Sequence, residues 1–225
     1  MKPSEFAFSS KLTIDEAENL QKSLSKKIIC IDQLPRQIKL VGGLDVAYTD
    51  SLAIGSATIL DYETLKVVEV KTSCQPIETS YIPTFLSFRE IPPVISAIRL
   101  LSVKPDVFLV DGHGIAHPRR LGLASHLGLV LDMATIGVAK TLLFGKIGET
   151  EKEDWKPIVD GNITIGAALY TKLGVKPIFI SVGHKISLGT AIKIVKHCLA
   201  GHRIPEPIRE AHKAAAKETK RTYLH

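Results

Sequence analysis

The stretch Val107-Phe108-Leu109-Val110-Asp111-Gly112-His113-Gly114-Ile115-Ala116-His117-Pro118-Arg119-Arg120-Leu121-Gly122 decides how the chain is arranged. Its four leading apolar residues show no polar alternation and predict a strand buried on both faces, as in the parallel part of an α/β sheet. A carboxylate, Asp111, then stands where that strand should end. Such a group is costly to bury unless something pairs with it. Gly112 and Gly114 allow close approach of the backbone, while His117, Arg119 and Arg120 offer cationic or hydrogen-bonding groups to an anion. A carboxylate beside phosphate-seeking groups suggests a metal between them, at the carboxyl end of a strand, where open α/β sheets bind ligands. The alternative is an Asp that caps a helix starting near Leu121, with solvated arginines. The loop by itself does not choose between the two.

Within 225 residues no Pro/Gly/Ser-rich linker divides the chain, so one domain over residues 1–225 is expected. A hydrophobic fraction of 45% supports a sizeable core, and no apolar run approaches the roughly 18 residues of a membrane span. Met1-Lys2-Pro3-Ser4-Glu5 leads into a polar helix rather than the apolar segment of a secretory signal. Cys30, Cys74 and Cys198 are odd in number and lack CxxC spacing, which fits buried thiols in a reducing compartment; a cytoplasmic protein is expected. The net charge of +6 permits a polyanionic partner without requiring one. Lys213, Lys217, Lys220 and Arg221 fall at i, i+4, i+7 and i+8 and form one basic helix face, either solvated or laid on nucleic acid.

Thr13-Ile14-Asp15-Glu16 is a capping box and predicts a helix from Ile14 to about Lys27. Ile38 to Tyr48 reads as a central strand interrupted by one acid, Asp45. Ala53 to Leu60 and Leu65 to Cys74 complete an antiparallel meander. A helix starting at Pro83 carries Phe85 and Phe88, and the pair Pro92-Pro93 is expected to break it just after Glu90. Helical spacing resumes over 94–101 and recurs over 121–131, the latter segment carrying His126. Thr135-Ile136-Gly137-Val138-Ala139 is a short apolar strand followed by Lys140. Asp160-Gly161 predicts a hairpin between 155–159 and 163–170. A strand over 177–182, a helix over 188–199 and a final helix after Pro205 and Pro207 close the chain.

Asp45, Asp111 and Lys140 thus mark otherwise apolar strands, and Glu90 lies on the helix between two of them. A meander followed by helix, strand, helix and strand is the order of a ribonuclease H-like fold. The expected architecture is α/β: a mixed five-stranded central sheet flanked by helices, with an additional hairpin and C-terminal helices. Its first and fourth strands are neighbours, which brings Asp45 and Asp111 together. Three carboxylates without a thiolate make an all-oxygen site suited to Mg²⁺ or Mn²⁺. Buried ion pairs without metal are the competing reading of the two aspartates.

Five separated motifs now carry a resemblance. They are Gly42-Gly43-Leu44-Asp45-Val46-Ala47; Tyr81-Ile82-Pro83 with Phe88-Arg89-Glu90; Asp111-Gly112-His113-Gly114 with Ala116-His117-Pro118-Arg119; Ile136-Gly137-Val138-Ala139-Lys140; and Arg203-Ile204-Pro205-Glu206-Pro207. In this order, over nearly the whole chain, they resemble endonuclease V, the deoxyinosine-directed repair nuclease. The resemblance implies that Asp45, Glu90 and Asp111 bind Mg²⁺, with Mn²⁺ able to substitute, and that His212 is an auxiliary group near the metal. It implies a wedge at Tyr81-Ile82-Pro83 inserted beside the lesion, where an aromatic ring restores part of the stacking lost on base flipping. It places Gly112 and Gly114 at the pocket for the flipped base, through their amides, and Lys140, His117 and Arg119 at backbone phosphates. The implied reaction is hydrolysis of the second phosphodiester bond 3′ to the lesion, leaving 3′-hydroxyl and 5′-phosphate ends. The implied partner is inosine-containing DNA, double- or single-stranded, bound by a monomer without any membrane.

Two positions depart from the family pattern: Ser80 stands where proline is common, and His113 lies between the two glycines. Tyr81 has an alternative reading as an ordinary surface aromatic. His126, His184 and His197 are expected in the core or on the surface rather than as ligands, although His184 follows a strand end that could border the site. An inosine-specific endoribonuclease is the rival activity, because nothing in these residues rejects a 2′-hydroxyl. A non-catalytic lesion-binding module is the rival of another class, and it is disfavoured by the presence of all three carboxylates.

Overall fold

The computed structural model describes residues 13–77, 82–150, 154–172 and 174–222. Helix α1 (Ile14–Ser25) begins at the Thr13 capping box, closed by Thr13 N donating to Glu16 Oε2 at 2.8 Å and Glu16 N to Thr13 Oγ1 at 3.3 Å. Strands β1 (Leu40–Tyr48), β2 (Leu52–Asp61) and β3 (Val67–Pro76) form the antiparallel meander. Helix α2 (Leu86–Arg99) leads to β4 (Val107–Asp111), which lies parallel to β1, and α3 (Leu123–Leu131) leads to β5 (Ala134–Ala139), parallel to β4. There follow β6 (Lys146–Ile147), β7 (Trp155–Asp160), β8 (Ile163–Leu169), β9 (Ile178–His184), α4 (Leu188–His197) and α5 (Glu206–Thr222). No helix among the described residues is long and apolar enough to cross a membrane.

The mixed sheet is larger than the expected five strands. Among the described residues it has nine, in the order β3-β2-β1-β4-β5-β9-β8-β7-β6. The hairpin β7–β8 is therefore part of the sheet rather than an addition to it. The reason is burial: the last five residues of β8 are covered, Ala167 and Leu169 facing one core cluster and Ile165 and Ala168 another, so β8 pairs with β9 as an interior strand.

Alternation along β4 divides the core. Val107 and Leu109 face α4 and α5, together with Val41, Ile194, Val195 and Ile208, while Phe108 and Val110 face α2 and α3, together with Leu44, Ile91, Val94 and Leu127. Asp111 and Asp45 share the parity of Leu109 and Val41, so both point toward the α5 side.

Helix α2 runs through Pro92 and Pro93 without the expected break, so Glu90 sits within a regular helix. An interior proline costs about 3 kcal/mol. Burial of Ile91 and Val94, about 1.5–3 kcal/mol each, offsets much of that. The sheet also supports the helix directly: a Cβ at Gly55 of β2 would stand 2.2 Å from the Pro93 carbonyl oxygen.

Helix α5 rests on β1 and β2 in the same way. A Cβ at Gly43 would meet the Pro207 carbonyl oxygen at 1.9 Å, and the hydroxyls of Thr58 and Ser56 donate to the carbonyls of Pro207 and Ala211 at 2.9 and 2.7 Å. Gly43→Ala is expected to lower the unfolding free energy by about 1–3 kcal/mol or more through overpacking against helix backbone. Gly189→Ala, in helix α4 with no heavy atom within 4 Å of the added methyl, should be neutral or stabilise by up to about 1 kcal/mol. Urea denaturation of the two variants checks both.

Candidate active site

Strands β1 and β4 pair in parallel through Leu44↔Val110, and one residue further each strand presents its acid, Asp45 and Asp111. A parallel register with equal offsets leaves the two carboxylates side by side at the edge of the core. Burial first, and the nearby Asp111 carboxylate second, raise the pKa of Asp45 above the usual carboxylate range. Each aspartate is met by a basic side chain. His212 Nδ1, on α5, lies 2.8 Å from Asp45 Oδ2, and Lys140 Nζ, just past β5, donates to Asp111 Oδ2 at 2.5 Å.

Glu90 arrives from the opposite face, because α2 covers that side of the sheet. It is 8% exposed, and burial, with Asp45 and Asp111 adding to it, pushes its pKa up to about 8. The Tyr48 hydroxyl, at the end of β1, donates to Glu90 Oε1 at 3.2 Å. The Arg89 guanidinium lies over the Tyr48 ring, 4.1 Å from its centroid. Glu90 therefore sits within electrostatic reach of both aspartates, with one neutral donor and one stacked cation behind it.

Burial and the neighbouring acids raise the proton affinity of Asp45 and Glu90, and with Asp111 beside them the three carboxylates form a place for positive charge. Among the described residues no three acidic, histidine or cysteine side chains are grouped closely enough to hold an ion as they stand, and Lys140 and His212 balance the two aspartates instead. Lys140 and His212 are on the solvent side, their side chains 46% and 62% exposed, while those of Asp111 and Asp45 are only 15% and 9% exposed. The donor set is all oxygen, so the residues fit a hard divalent cation.

A cavity of about 320 Å³ opens beside Asp111, lined among others by Thr84, Ser87, Gly112, His113 and Lys140. The amides of Gly112 and Gly114, expected to serve a bound base, are engaged within the protein. Gly112 N donates to Val138 O at 3.2 Å and Gly114 N to Ser181 Oγ at 2.8 Å. Gly114 is there for packing, since a Cβ would stand 2.0 Å from the Val182 carbonyl oxygen.

His117 and Arg119 are likewise turned into the protein rather than toward a phosphate. His117 Nε2 lies 3.0 Å from Thr84 O. Arg119 bonds Gln21 Oε1 and Thr84 Oγ1 at 2.5 Å each and Glu18 Oε1 at 3.0 Å, with Phe85 beneath its guanidinium. Together they fasten the segment just after Ile82 and Pro83 to α1 and to the loop after β4. Tyr81 lies outside the described residues. Ile82 and Pro83 are both exposed.

Among the other histidines, His126 is fully buried in α3, its Nδ1 3.0 Å from Ser87 Oγ and its ring edge-on to Phe88. His184 pairs in register with Thr135 at the start of β5, at the edge of the sheet opposite Asp111, so it does not border the site. His197 is exposed and stacks on Tyr62. His113 is half-buried, makes a hydrogen bond to the Thr141 backbone and leaves a buried Nδ1 without a partner among the described residues. Cys198 is buried, whereas Cys30 and Cys74 are exposed, against the expectation of three buried thiols.

Tyr48, Ser87, Thr84 and Ser181 were not singled out in the sequence. For Tyr48 a signal existed: three residues beyond Asp45, it sits on the opposite face of the same strand, toward α2.

A mixed sheet whose first and fourth strands end in adjoining acids, with a third acid from the covering helix, defines a ribonuclease H-like protein with a carboxylate centre suited to phosphodiester hydrolysis. The comparisons with known proteins are more specific. A family model described as Endonuclease V matches residues 22–213, and the chain belongs to the endonuclease V family. It is 46% identical over 215 residues to Endonuclease V of Rippkaea orientalis, covering 94% of this chain and 93% of that protein. Its fold is similar to the crystal structure of Endonuclease V from Streptomyces avermitilis, with a TM-score of 0.87 at 36% identity over 94% of this chain and 95% of that one. It is equally similar to Ciona intestinalis Endonuclease V in complex with a 24mer DNA containing an inosine followed by a ribo-adenosine, with a TM-score of 0.85 at 37% identity over 93% and 98% of the two chains.

Burial holds the pKa of His126 down at about 3, against 6.5 for a free histidine. Folding thus requires the neutral ring: its contribution is complete above about pH 6.5 and is lost as the pH falls toward 3, because the unfolded chain takes up the proton first. His126→Gln should cost about 1–3 kcal/mol near pH 7.5. That deficit should shrink at pH 5, where the wild-type protein has lost part of the contribution and the variant has nothing to titrate. Metal-free urea unfolding at the two pH values measures it, and a deficit independent of pH would overturn the assignment.

Proposed function

We propose that this protein hydrolyses a phosphodiester bond of nucleic acid beside a deaminated purine, chiefly deoxyinosine, using Mg²⁺ held by Asp45, Asp111 and Glu90. The observation that carries this reading is the pair of aspartates, their side chains largely buried, that stand side by side just past the last paired residues of adjacent parallel strands, with a 320 Å³ cavity beside one of them. The bound ion polarises the phosphate and lowers the pKa of its water. The protein residues then have separable tasks. Asp45 and Asp111 bind the ion, and Glu90 completes the charge from the α2 side. His212 orients the Asp45 carboxylate through its 2.8 Å contact. Lys140, which donates to Asp111, would offset charge on the phosphate through its ammonium where Asp111 holds the ion. Ile82 and Pro83, with Tyr81, form the wedge that fills the gap left by the flipped base, and Arg119 and His117 hold the far end of that segment to the body of the protein.

The cut falls at the second phosphodiester bond 3′ to the lesion, leaving a 3′-hydroxyl and a 5′-phosphate, and the protein acts as a cytoplasmic monomer. RNA as an alternative substrate is favoured by one observation: the DNA bound to the Ciona relative carries a ribo-adenosine directly after the inosine. A site that takes inosine in single-stranded RNA would use the same pocket.

A nicking assay on matched inosine DNA, inosine RNA and undamaged DNA tests the reading, with selective cleavage of inosine strands in Mg²⁺ as the expected result. Asp111→Asn should lower nicking by at least about 100-fold, since a metal centre supplies several kcal/mol of transition-state stabilisation. Binding of the inosine strand should persist. Tyr81→Ala should weaken lesion binding by about 1–3 kcal/mol, the stacking contribution of one aromatic side chain. Normal nicking by Asp111→Asn would end the metal assignment, and unchanged binding by Tyr81→Ala would end the wedge.

A further inference from the structure

A second hollow, of about 200 Å³, lies on the other side of the carboxylates, between Lys140 and α5. It is lined by Lys140, Ile204, Ile208, Arg209, His212 and Lys213, with no acid in its wall. Lys140 belongs to both hollows, its partner Asp111 lines the first, and His212, the partner of Asp45, lines the second. One side of the metal-binding pair is the pocket beside Gly112 and His113. The other is a trough with an apolar floor of two isoleucines and a cationic rim.

Neither Arg209 nor Lys213 has a task in the reaction above. Arg209 is ion-paired with Glu206 one turn back, and Lys213 with Glu210 at 2.6 Å. The Lys213 pair is at the surface, where such pairs are weak and exchange readily for a better anion, while the Arg209 pair is partly buried and leaves part of the guanidinium open to the hollow. Arg203 is not available for that purpose: its guanidinium bonds the carbonyls of Lys140, Lys176 and Pro177 and fixes the backbone under Lys140. An apolar floor that a sugar ring can cover, rimmed by cations, matches the repeating chemistry of a nucleic-acid backbone rather than that of a base.

We propose that Arg209 and Lys213 bind the sugar-phosphate backbone immediately beyond the scissile bond, on the side away from the recognised base, so that the two hollows hold the strand taut across the carboxylates. The inference rests on the function proposed above. It gives that function a physical measure: the separation of the two hollows sets how far from the base the cut falls.

The test uses inosine oligonucleotides in which a neutral methylphosphonate replaces one phosphate, either the first beyond the scissile bond or one several nucleotides upstream of the lesion. Binding and single-turnover nicking are measured for the wild-type protein, Lys213→Gln and Arg209→Gln. Expected are a loss of about 10-fold or more in wild-type affinity for the downstream substitution and a similar loss for each variant on the unmodified strand. The variants should show little further loss on the downstream-modified strand, and a salt dependence shallower by about one phosphate contact. Lys213 is exposed on α5, so Lys213→Gln keeps the test decisive even if Arg209→Gln unfolds. Affinities equal to wild type, or losses that multiply on the downstream-modified strand, would overturn the proposal while leaving the nuclease reading intact. A wild-type protein that nicks no inosine strand would overturn both.

Discussion

The structure is organised around two negative charges that should not be adjacent. Asp45 and Asp111 stand just past the last paired residues of neighbouring parallel strands, both largely shielded from water, and Asp111 adds to the burial that already raises the proton affinity of Asp45. A hydrophobic core cannot supply that arrangement, since an apolar pair at these positions would pack with less cost. The surroundings respond to it. Lys140 follows β5, the other neighbour of β4, and His212 is brought over β1 by the last helix. Both responding groups reach out to solvent, while the acids stay within the fold. The acids are therefore the fixed part of the site, and Lys140 and His212 the part open to exchange.

The fixed half of the site is held by backbone packed against backbone. Helix α5 approaches β1 until the Pro207 carbonyl occupies the space of a missing side chain at Gly43, and hydroxyls of β2 bond carbonyls of the same helix. The loop after Asp111 is locked similarly: a Cβ at Gly137 would stand 2.4 Å from Gly114 N, and one at Gly122 2.3 Å from the His113 carbonyl oxygen. Contacts of this kind leave no rotamer to adjust. Asp45 and Asp111 therefore inherit the rigidity of the sheet, which is what preorganised charge requires.

Much of this was legible in the sequence because a carboxylate in an apolar strand is costly enough to be noticed. Asp45, Asp111 and Lys140 stood out for that reason, and the order of elements sufficed to make β1 and β4 neighbours. What failed to show depends on partners distant in the chain. Pro92 and Pro93 read as a break because the local cost is plain, whereas the support from Gly55 comes from a strand more than thirty residues earlier. Gly112 and Gly114 read as amides offered to a ligand, yet Val138 and Ser181 take those amides. Arg119 and His117 read as cations beside an anion, but Gln21, Glu18 and Thr84 are their partners. In each case the residue type was informative and its partner was not.

The glycines of the loop after β4 sharpen that distinction. A ligand-binding glycine and a packing glycine have the same sequence signature, a position where no Cβ is tolerated, and only the neighbour tells them apart. At Gly114 the neighbour is the backbone of β9, which closes the loop onto the sheet and holds Asp111 at its edge. At Gly112 the nearest atoms are the Leu123 side chain at 3.2 Å, and the residue also borders the cavity. One glycine thus fixes the acid and the other shapes the pocket. Because they are two residues apart on one rigid loop, the cavity wall at Gly112 is fixed relative to Asp111 by backbone alone, and substitutions among the other side chains lining the cavity can reshape it without moving that carboxylate.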